Sequence, residues 1–282
     1  MATPRNKTSP NKIQNQLIDP EPAHPEVNRP EQVQRQRGVA LVTGGAGSIG
    51  TVICFALARE GMRVVVGYNR SAEKARVLAA KLPGEGHSAL AAPVTDSGAL
   101  AALAADIAAR YGVCDVLVNC AGTTRFVPHG DLEALDDGLI HDILATNVRG
   151  PFAAVRALRP LLEKSRQTGG AVVVNISSIA AVTAMGSNVM YCASKAAVDN
   201  MTKSLARALA PRIRVVSVSP GVVDNDFIRS MDPRWLEEQV SRTPLKRLSA
   251  PDEVAGAVIA AIKHLTFTTG SIIPVDGGRP LS

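Results

Sequence analysis

The sequence predicts an α/β fold, a parallel sheet with helices on both faces, and three observations carry that expectation. From Gly38 onward, short β-branched runs alternate with longer amphipathic stretches; strands separated by helices of that length are joined by right-handed crossovers. Hydrophobic residues make up 46% of the chain and aromatic residues only 3%, so the core is built from Ala, Val, Leu and Ile, as in a sheet buried on both faces. The first β-branched run also passes directly into a glycine-rich turn that opens a helix. That is the sequence form of a strand feeding a phosphate-binding turn.

In chain order, strands are expected at Val39 to Thr43, Arg63 to Gly67, Ser88 to Ala92, Val116 to Asn119, Ala171 to Ile176, Ile213 to Val218 and Ser271 to Val275. Each is a short, mostly apolar run. Between them, helices are expected at Ile49 to Glu60, Ser71 to Lys81, Gly98 to Tyr111, Asp136 to Lys164, Val189 to Ala210 and Pro251 to His264. Gly150-Pro151 predicts a kink in the fourth helix, because proline removes a backbone donor. Residues 1–37 are rich in Pro, Asn, Gln, Glu and Arg and cannot bury enough surface to offset their ordering entropy. They are expected to form a disordered or loosely packed N-terminal extension with no assigned chemistry. Residues 38–282 then form a single domain.

Several function classes are disfavoured. The net charge is +6, but 31 basic residues are scattered among 25 acidic ones, which suits a solvated surface with a mild attraction for anions rather than a nucleic-acid partner. Cys54, Cys114, Cys120 and Cys192 have neither CxxC nor metal-ligand spacing and read as reduced core thiols. No metal site is expected. No apolar run approaches the ~18 residues of a membrane span, and no secretory h-region is present, so a soluble, cytoplasmic protein is expected.

The octet Thr43-Gly44-Gly45-Ala46-Gly47-Ser48-Ile49-Gly50 ends the first strand. Gly45, Gly47 and Gly50 fit GxGxxG, whose glycines permit a tight turn, the approach of a pyrophosphate and the packing of helix on strand. The helix that opens near Ser48 and Ile49 then turns its free N–H groups toward the phosphates. Much farther along, Tyr191 and Lys195 lie one helical turn apart in Tyr191-Cys192-Ala193-Ser194-Lys195, on one face of a helix. An ammonium held beside a phenol favours the phenolate, so the pair is a candidate proton-transfer device.

Thr43-Gly44 with Gly50, Asn119-Cys120-Ala121-Gly122, Asn147, Ser178, Tyr191 with Lys195, Ser219-Pro220-Gly221 and Val275-Asp276-Gly277-Gly278 together resemble the short-chain dehydrogenase/reductase family. The resemblance extends from about Gly38 to Leu281. It implies a Rossmann-type, doubly wound sheet of about seven parallel strands, a nicotinamide dinucleotide across its C-terminal edge, and hydride transfer between cofactor and a carbonyl or alcohol substrate. By the same resemblance Tyr191 is the acid/base and Ser178 donates a hydrogen bond to the substrate oxygen, with Ser177 as the competing candidate. Lys195 binds the nicotinamide ribose, and Asn147 opens a local kink and holds a water that extends a proton relay. Cofactor contacts are expected at Gly44, Gly45, Gly47, Ser48, Ile49 and Gly50, at Asn69, Arg70 and Val94, at Asn119, Ala121 and Gly122, at Tyr191 and Lys195, and at Pro220, Gly221 and Val223. A homotetramer, or a dimer, is implied through the 136–164 and 189–210 helices.

Departures from the family pattern are informative. Ser48 stands where the usual TGxxxGxG turn has a glycine, although Gly44, Gly47 and Gly50 fit the TGxxGxxG form. After the second strand, Asn69-Arg70 replaces the acid that would bind an NAD ribose, and a planar guanidinium suits a 2′-phosphate. NADP is therefore favoured over NAD. Pro93, before Val94, replaces a frequent adenine-binding Asp; Asn225 stands where Thr is frequent; Cys120 replaces a second Asn. The segment 224–242 is expected to cover the substrate, and Phe227, Met231 and Trp235, with Phe126, Met185 and Met190, to make its pocket apolar. Arg125 is a candidate anchor for an anionic substrate group or, equally, a solvated loop residue. The expected activity is NADP(H)-dependent ketone/secondary alcohol interconversion, with a 3-oxoacyl-(carrier protein) reductase as the first reading. The alternatives are a polyol, sugar or steroid dehydrogenase, or a non-catalytic nucleotide-binding member.

Overall fold

The strands form where the alternation places them: β1 (Val39–Thr43), β2 (Arg63–Tyr68), β3 (Ser88–Ala91), β4 (Val116–Asn119), β5 (Ala171–Ile176), β6 (Ile213–Pro220) and β7 (Ile272–Val275). The computed structural model describes Met1 and residues 38–281, and in it these strands make one seven-stranded sheet of order β3-β2-β1-β4-β5-β6-β7. Apart from Met1, the expectation for residues 1–37 lies outside the described residues. Every neighbouring pair is parallel. The helices are α1 (Ser48–Arg59), α2 (Ala72–Lys81), α3 (Ser97–Tyr111), α4 (Asp137–Leu144), α5 (Gly150–Leu162), α6 (Ala180–Thr183), α7 (Val189–Leu209), α8 (Asp226–Arg229), α9 (Pro233–Ser241) and α10 (Pro251–Lys263).

Alternation along β1 shows why the sheet needs two helix layers. Ala40 and Val42 join Ile53 and Leu57 of α1 and Val254 and Val258 of α10 on one face; Val39 and Leu41 join Leu100 and Ile107 of α3 and Leu158 of α5 on the other. Each buried Leu, Ile or Val contributes about 1.5–3 kcal/mol, so neither face is left to water. A cation is also buried at the edge of this core. Arg214 of β6 is 7% exposed, and its guanidinium donates to the carbonyls of Ala261 and Leu265 at 3.0 Å and of Gly169, Ile262 and Thr268 at 3.3 Å. It thereby satisfies last-turn carbonyls of α10 that have no partner within the helix.

The kink expected at Gly150-Pro151 is instead a π-helical turn just before it, Ala145–Arg149, between α4 and α5. The Gly150 N–H bonds the carbonyl of Ala145, five residues back. Pro151, four residues after Asn147, has no N–H to give to the Asn147 carbonyl. Proline thus acts one turn upstream of its own position, and Asn147 lies at the centre of the distortion. Single π turns of this kind are frequent at functional sites.

Candidate active site

The order of the sheet reverses beside β1, whose neighbours are β2 and β4. In such sheets a crevice opens at the carboxyl ends of the strands flanking the reversal. Here it is a cleft of about 1320 Å³ that runs from the glycine turn after β1 to the segment carrying α8 and α9.

The glycine turn is shaped by contacts that side chains would block. Gly44 has φ +63°, and a Cβ on it would lie 2.9 Å from the Ala121 Cα; a Cβ on Gly50 would lie 2.3 Å from the Gly44 carbonyl oxygen. Gly47 and Ser48 are exposed in the cleft, and Ile49 lines it. No side chain caps α1 and no acid stands in its first turn, so its leading N–H groups remain to serve an anion in the cleft. Gly45 behaves differently from expectation. It faces the core, where a Cβ would meet the Val42 carbonyl and Val66 Cγ1 at 3.0 Å, so it allows helix-on-strand packing and does not line the cleft.

Asn69, Arg70 and Val94 line the same end of the cleft. The loop Asn69-Arg70-Ser71 after β2 holds no carboxylate. The acid nearest in sequence after β3, Asp96, is engaged elsewhere, accepting the N–H groups of Gly98 and Ala99 as the cap of α3. Ala121 and Gly122 line the middle of the cleft and Pro220, Gly221 and Val223 the wall beyond it. Asn119, expected among the cofactor contacts, is buried behind that wall with its Nδ2 on Asn175 Oδ1 at 2.9 Å. It joins β4 to β5. Thr43, a motif residue with no role expected of its side chain, fixes the turn after β4: its hydroxyl accepts the N–H groups of Cys120 and Ala121 at 3.2 Å. The glycine cradle, the uncapped helix and the acid-free Arg70 loop fit the pyrophosphate and a phosphorylated ribose of a dinucleotide.

Ser178, Tyr191 and Lys195 all line the cleft. The Asn188 side chain accepts the Tyr191 N–H at 2.7 Å and caps α7, which fixes where the helix begins and hence which face carries the pair. The Lys195 Nζ lies 5.6 Å from the centre of the Tyr191 ring and donates to the Ile176 carbonyl at 2.8 Å. Of the two serines, Ser177 is buried, with its hydroxyl directed to the Lys195 carbonyl. Ser178 is only half-buried. Asn147 is 1% exposed and does not line the cleft. Its Oδ1 accepts the Thr123 N–H, and its Nδ2 donates to the Thr123 carbonyl and to Ser194 Oγ. The side chain therefore ties the loop after β4 to α7, leaving only its carbonyl for a relay.

Burial pushes the Cys120 thiol up to about 11, against the pull of the Lys195 ammonium. It raises Cys54 as well, with Cys120 adding to the effect. Thiols raised in this way are inert at neutral pH, and all four cysteines are free. No group of side chains among the described residues has the makings of a metal site, and no helix among them is long and apolar enough to cross a membrane.

On the substrate side, Phe126, Met185, Met231 and Trp235 line the cleft, but Met190 does not. Met190 is half-buried on α7. The Phe227 side chain lies outside the described residues. Helices α8 and α9 were too short to read as periodic elements. Asn225 caps α8 through its Oδ1 on the Ile228 N–H, and Arg279, 5% exposed, anchors α9 by donating to the Gln239 carbonyl and Oε1. Arg125 is not an anion anchor in the cleft: it pairs with Asp136 and donates to the Ala134 carbonyl.

Comparison with known proteins agrees with this geometry. The family model described as Enoyl-(Acyl carrier protein) reductase matches residues 44–279. The chain is 38% identical over 245 residues to "Granaticin polyketide synthase putative ketoacyl reductase 2" of Streptomyces violaceoruber, covering 86% of this chain and 96% of that one. It is 35% identical over 245 residues to the D-threitol dehydrogenase of Mycolicibacterium smegmatis, covering 85% and 92%. Among solved structures, a gluconate 5-dehydrogenase from Burkholderia cenocepacia in complex with NADP and tartrate superposes with a TM-score of 0.79 at 28% identity, covering 88% of this chain and 98% of that one. The chain belongs to the short-chain dehydrogenase/reductase family. It is an oxidoreductase.

Proposed function

We propose that the protein interconverts a ketone and the matching secondary alcohol with NADP(H), and that its substrate is a 3-oxoacyl thioester. The observation that carries the reading is the convergence of Tyr191, Lys195 and Ser178 on one cleft with an uncapped glycine turn at its other end. NADP(H), when bound, supplies or accepts the hydride. Tyr191 gives its phenolic proton to the oxygen of a carbonyl under reduction, and takes it back in oxidation. Ser178 holds that oxygen through a hydroxyl already in place, which favours the developing oxyanion. Lys195 holds the nicotinamide ribose and keeps a positive charge beside Tyr191, while the carbonyl of Asn147, left without a helical donor by Pro151, holds the relay water. The ketoacyl reductase relative favours the thioester. A polyol or sugar acid is the second reading, favoured by the threitol and gluconate relatives and by Glu238, Gln239 and Arg242 on the cleft wall.

Nicotinamide absorbance with acetoacetyl-coenzyme A, and with a panel of polyols and sugar acids, separates the two. Faster turnover on polyols would replace the first reading by the second. Arg70, exposed at the adenosine end and without a neighbouring acid in its loop, is assigned to the 2′-phosphate. Arg70→Ala is expected to weaken NADPH about tenfold or more and NADH little, since a charge-assisted hydrogen bond is worth roughly 1.5–3 kcal/mol. Cofactor fluorescence titration measures both. A parent protein with equal affinities would remove the assignment. The protein is further proposed to be a homotetramer through α4, α5 and α7, on which Leu144, Phe152 and Val189 are 37%, 44% and 40% exposed. Residues 38–282 are proposed to be one catalytic domain.

A further inference from the structure

The face of α7 that carries Tyr191 and Lys195 does not end with them. Asp199 follows Lys195 by four residues, so the three side chains stand in a column. Asp199 is a carboxylate inside the protein, 9% exposed. It meets a polar row built by the sheet itself. Register places Asn119 of β4 beside Asn175 of β5, and Asn175 beside Ser217 of β6. Asn119 Nδ2 donates to Asn175 Oδ1, Asn175 Nδ2 donates to Thr202 Oγ1, and Thr202 shares a hydrogen bond of 2.8 Å with Ser217. The hydroxyls of Ser217 and Ser177 then face Asp199, while its Oδ1 has no hydrogen-bond partner.

Burial of a carboxylate is costly unless something compensates it, and a chain of hydroxyls and amides is a weak compensation for a full charge. Burial raises the Asp199 carboxyl; the Ser177 and Ser217 hydroxyls and the Lys195 and Lys203 ammonium groups act in the opposite direction. These two lysines, both on α7, are the charged groups that act on it, and Ser177, just after β5, and Ser217 of β6 present hydroxyls. Lys203 is exposed, whereas Lys195 is 7% exposed. The carboxylate is therefore worth most to Lys195, a buried ammonium that donates to the Ile176 carbonyl.

We propose that Asp199 is a positioning residue for the proton-transfer pair: a buried counter-charge one turn behind Lys195, beside the hydroxyls of Ser177 and Ser217, that sets α7 on the sheet. It rests on the reading of Tyr191 and Lys195 given above. A purely structural Asp would serve equally well as Asn, which has the same shape and the same neighbours. A counter-charge would not.

The test compares Asp199→Asn and Asp199→Glu with the full-length parent. NADPH affinity is followed by cofactor fluorescence across alkaline pH, with thermal melting as the measure of fold and acetoacetyl-coenzyme A reduction as the measure of rate. Asp199→Asn is expected to bind NADPH normally near neutrality but to lose it at lower pH than the parent, because an opposite charge nearby favours a neighbour's charged form. The reduction rate should fall about tenfold, and Asp199→Glu should restore the alkaline limb. Superimposable pH curves for parent and Asp199→Asn would overturn the proposal, as would an Asp199→Glu curve shifted as far as that of Asp199→Asn. If Asp199→Asn fails to fold, Asp199→Ser is read in its place, and failure of both neutral variants would make the residue structural and end the proposal. Tyr191→Phe is run beside them. An active Tyr191→Phe defeats the underlying assignment, whereas an inactive one with an unshifted Asp199→Asn defeats only the role of Asp199.

Discussion

Tyr191→Phe is expected to lower kcat/KM for NADPH-dependent reduction by about 10²- to 10⁴-fold, the range typical of one positioned general acid. The fold should survive. The ring, not the hydroxyl, makes the packing contacts: a Cβ on Gly186 would lie 3.0 Å from Tyr191 Cδ1, and the Lys195 ammonium sits over the ring. The helix start is held by Asn188 on the Tyr191 N–H, which the substitution leaves in place. Melting temperature and NADPH affinity should thus stay close to those of the parent, while turnover is lost. A Tyr191→Phe protein that retained near-parent activity would return the residue to the cleft wall without a chemical role.

Gly50→Ala is expected to have the second-largest effect, and on binding rather than chemistry. The added Cβ would be 2.3 Å from the Gly44 carbonyl oxygen, 2.9 Å from the Gly45 Cα and 3.0 Å from the Gly44 carbonyl carbon. All three are backbone atoms of the turn itself, so no flexible side chain can yield. Overpacking costs typically 1–3 kcal/mol, and each 1.4 kcal/mol is a factor of ten in an equilibrium constant. Displacing the turn from the start of α1 should weaken NADPH binding about tenfold to a hundredfold, with a lowered melting temperature. Equal affinity in fluorescence titration would mean that the turn does not hold the cofactor. Gly61 makes an apt control, since a Cβ there would meet nothing within 4 Å, although its φ of +79° means that alanine strains the backbone locally.

The regular elements were legible because their signals are local. Apolar alternation gave β1 and β4 their observed bounds, Val39–Thr43 and Val116–Asn119, and the glycine octet placed the start of α1 within one residue. What was not legible depends on residues far apart in the chain. Asn119 and Asn147 carry motif positions, yet both side chains are spent on tying elements together, Asn119 across 56 residues to Asn175 and Asn147 across 47 to Ser194. Gly45 matches the same spacing rule as its neighbours but faces Val42 and Val66. A motif records that a residue type is needed and not which of its atoms is used. The π turn was displaced from the expected kink because proline perturbs the carbonyl four residues before it.

A usable signal was nevertheless present for the buried polar row. Thr43 and Asn119 end apolar strands, and Asn175 and Ser217 interrupt apolar runs near the carboxyl ends of theirs. Polar residues repeated at that edge of a parallel sheet mark where it stops being core and starts being site. Asp199 and Thr202 belong to the same row, although nothing in their local sequence distinguishes them from the solvated residues of a long helix. Helices α8 and α9 were hidden for a different reason. They are short, and their position depends on Arg279, which reaches back to Gln239 from the end of the chain.

The most direct test of the central claim is the loss of nicotinamide absorbance when the parent protein is given NADPH and acetoacetyl-coenzyme A, measured beside Tyr191→Phe and beside NADH. The account predicts steady oxidation of NADPH by the parent, markedly slower oxidation of NADH, and none above background by Tyr191→Phe. Oxidation of NADPH at the same rate by parent and variant, or neither oxidation of NADPH by the parent with acetoacetyl-coenzyme A nor reduction of NADP+ with any member of the polyol and sugar-acid panel, would contradict it.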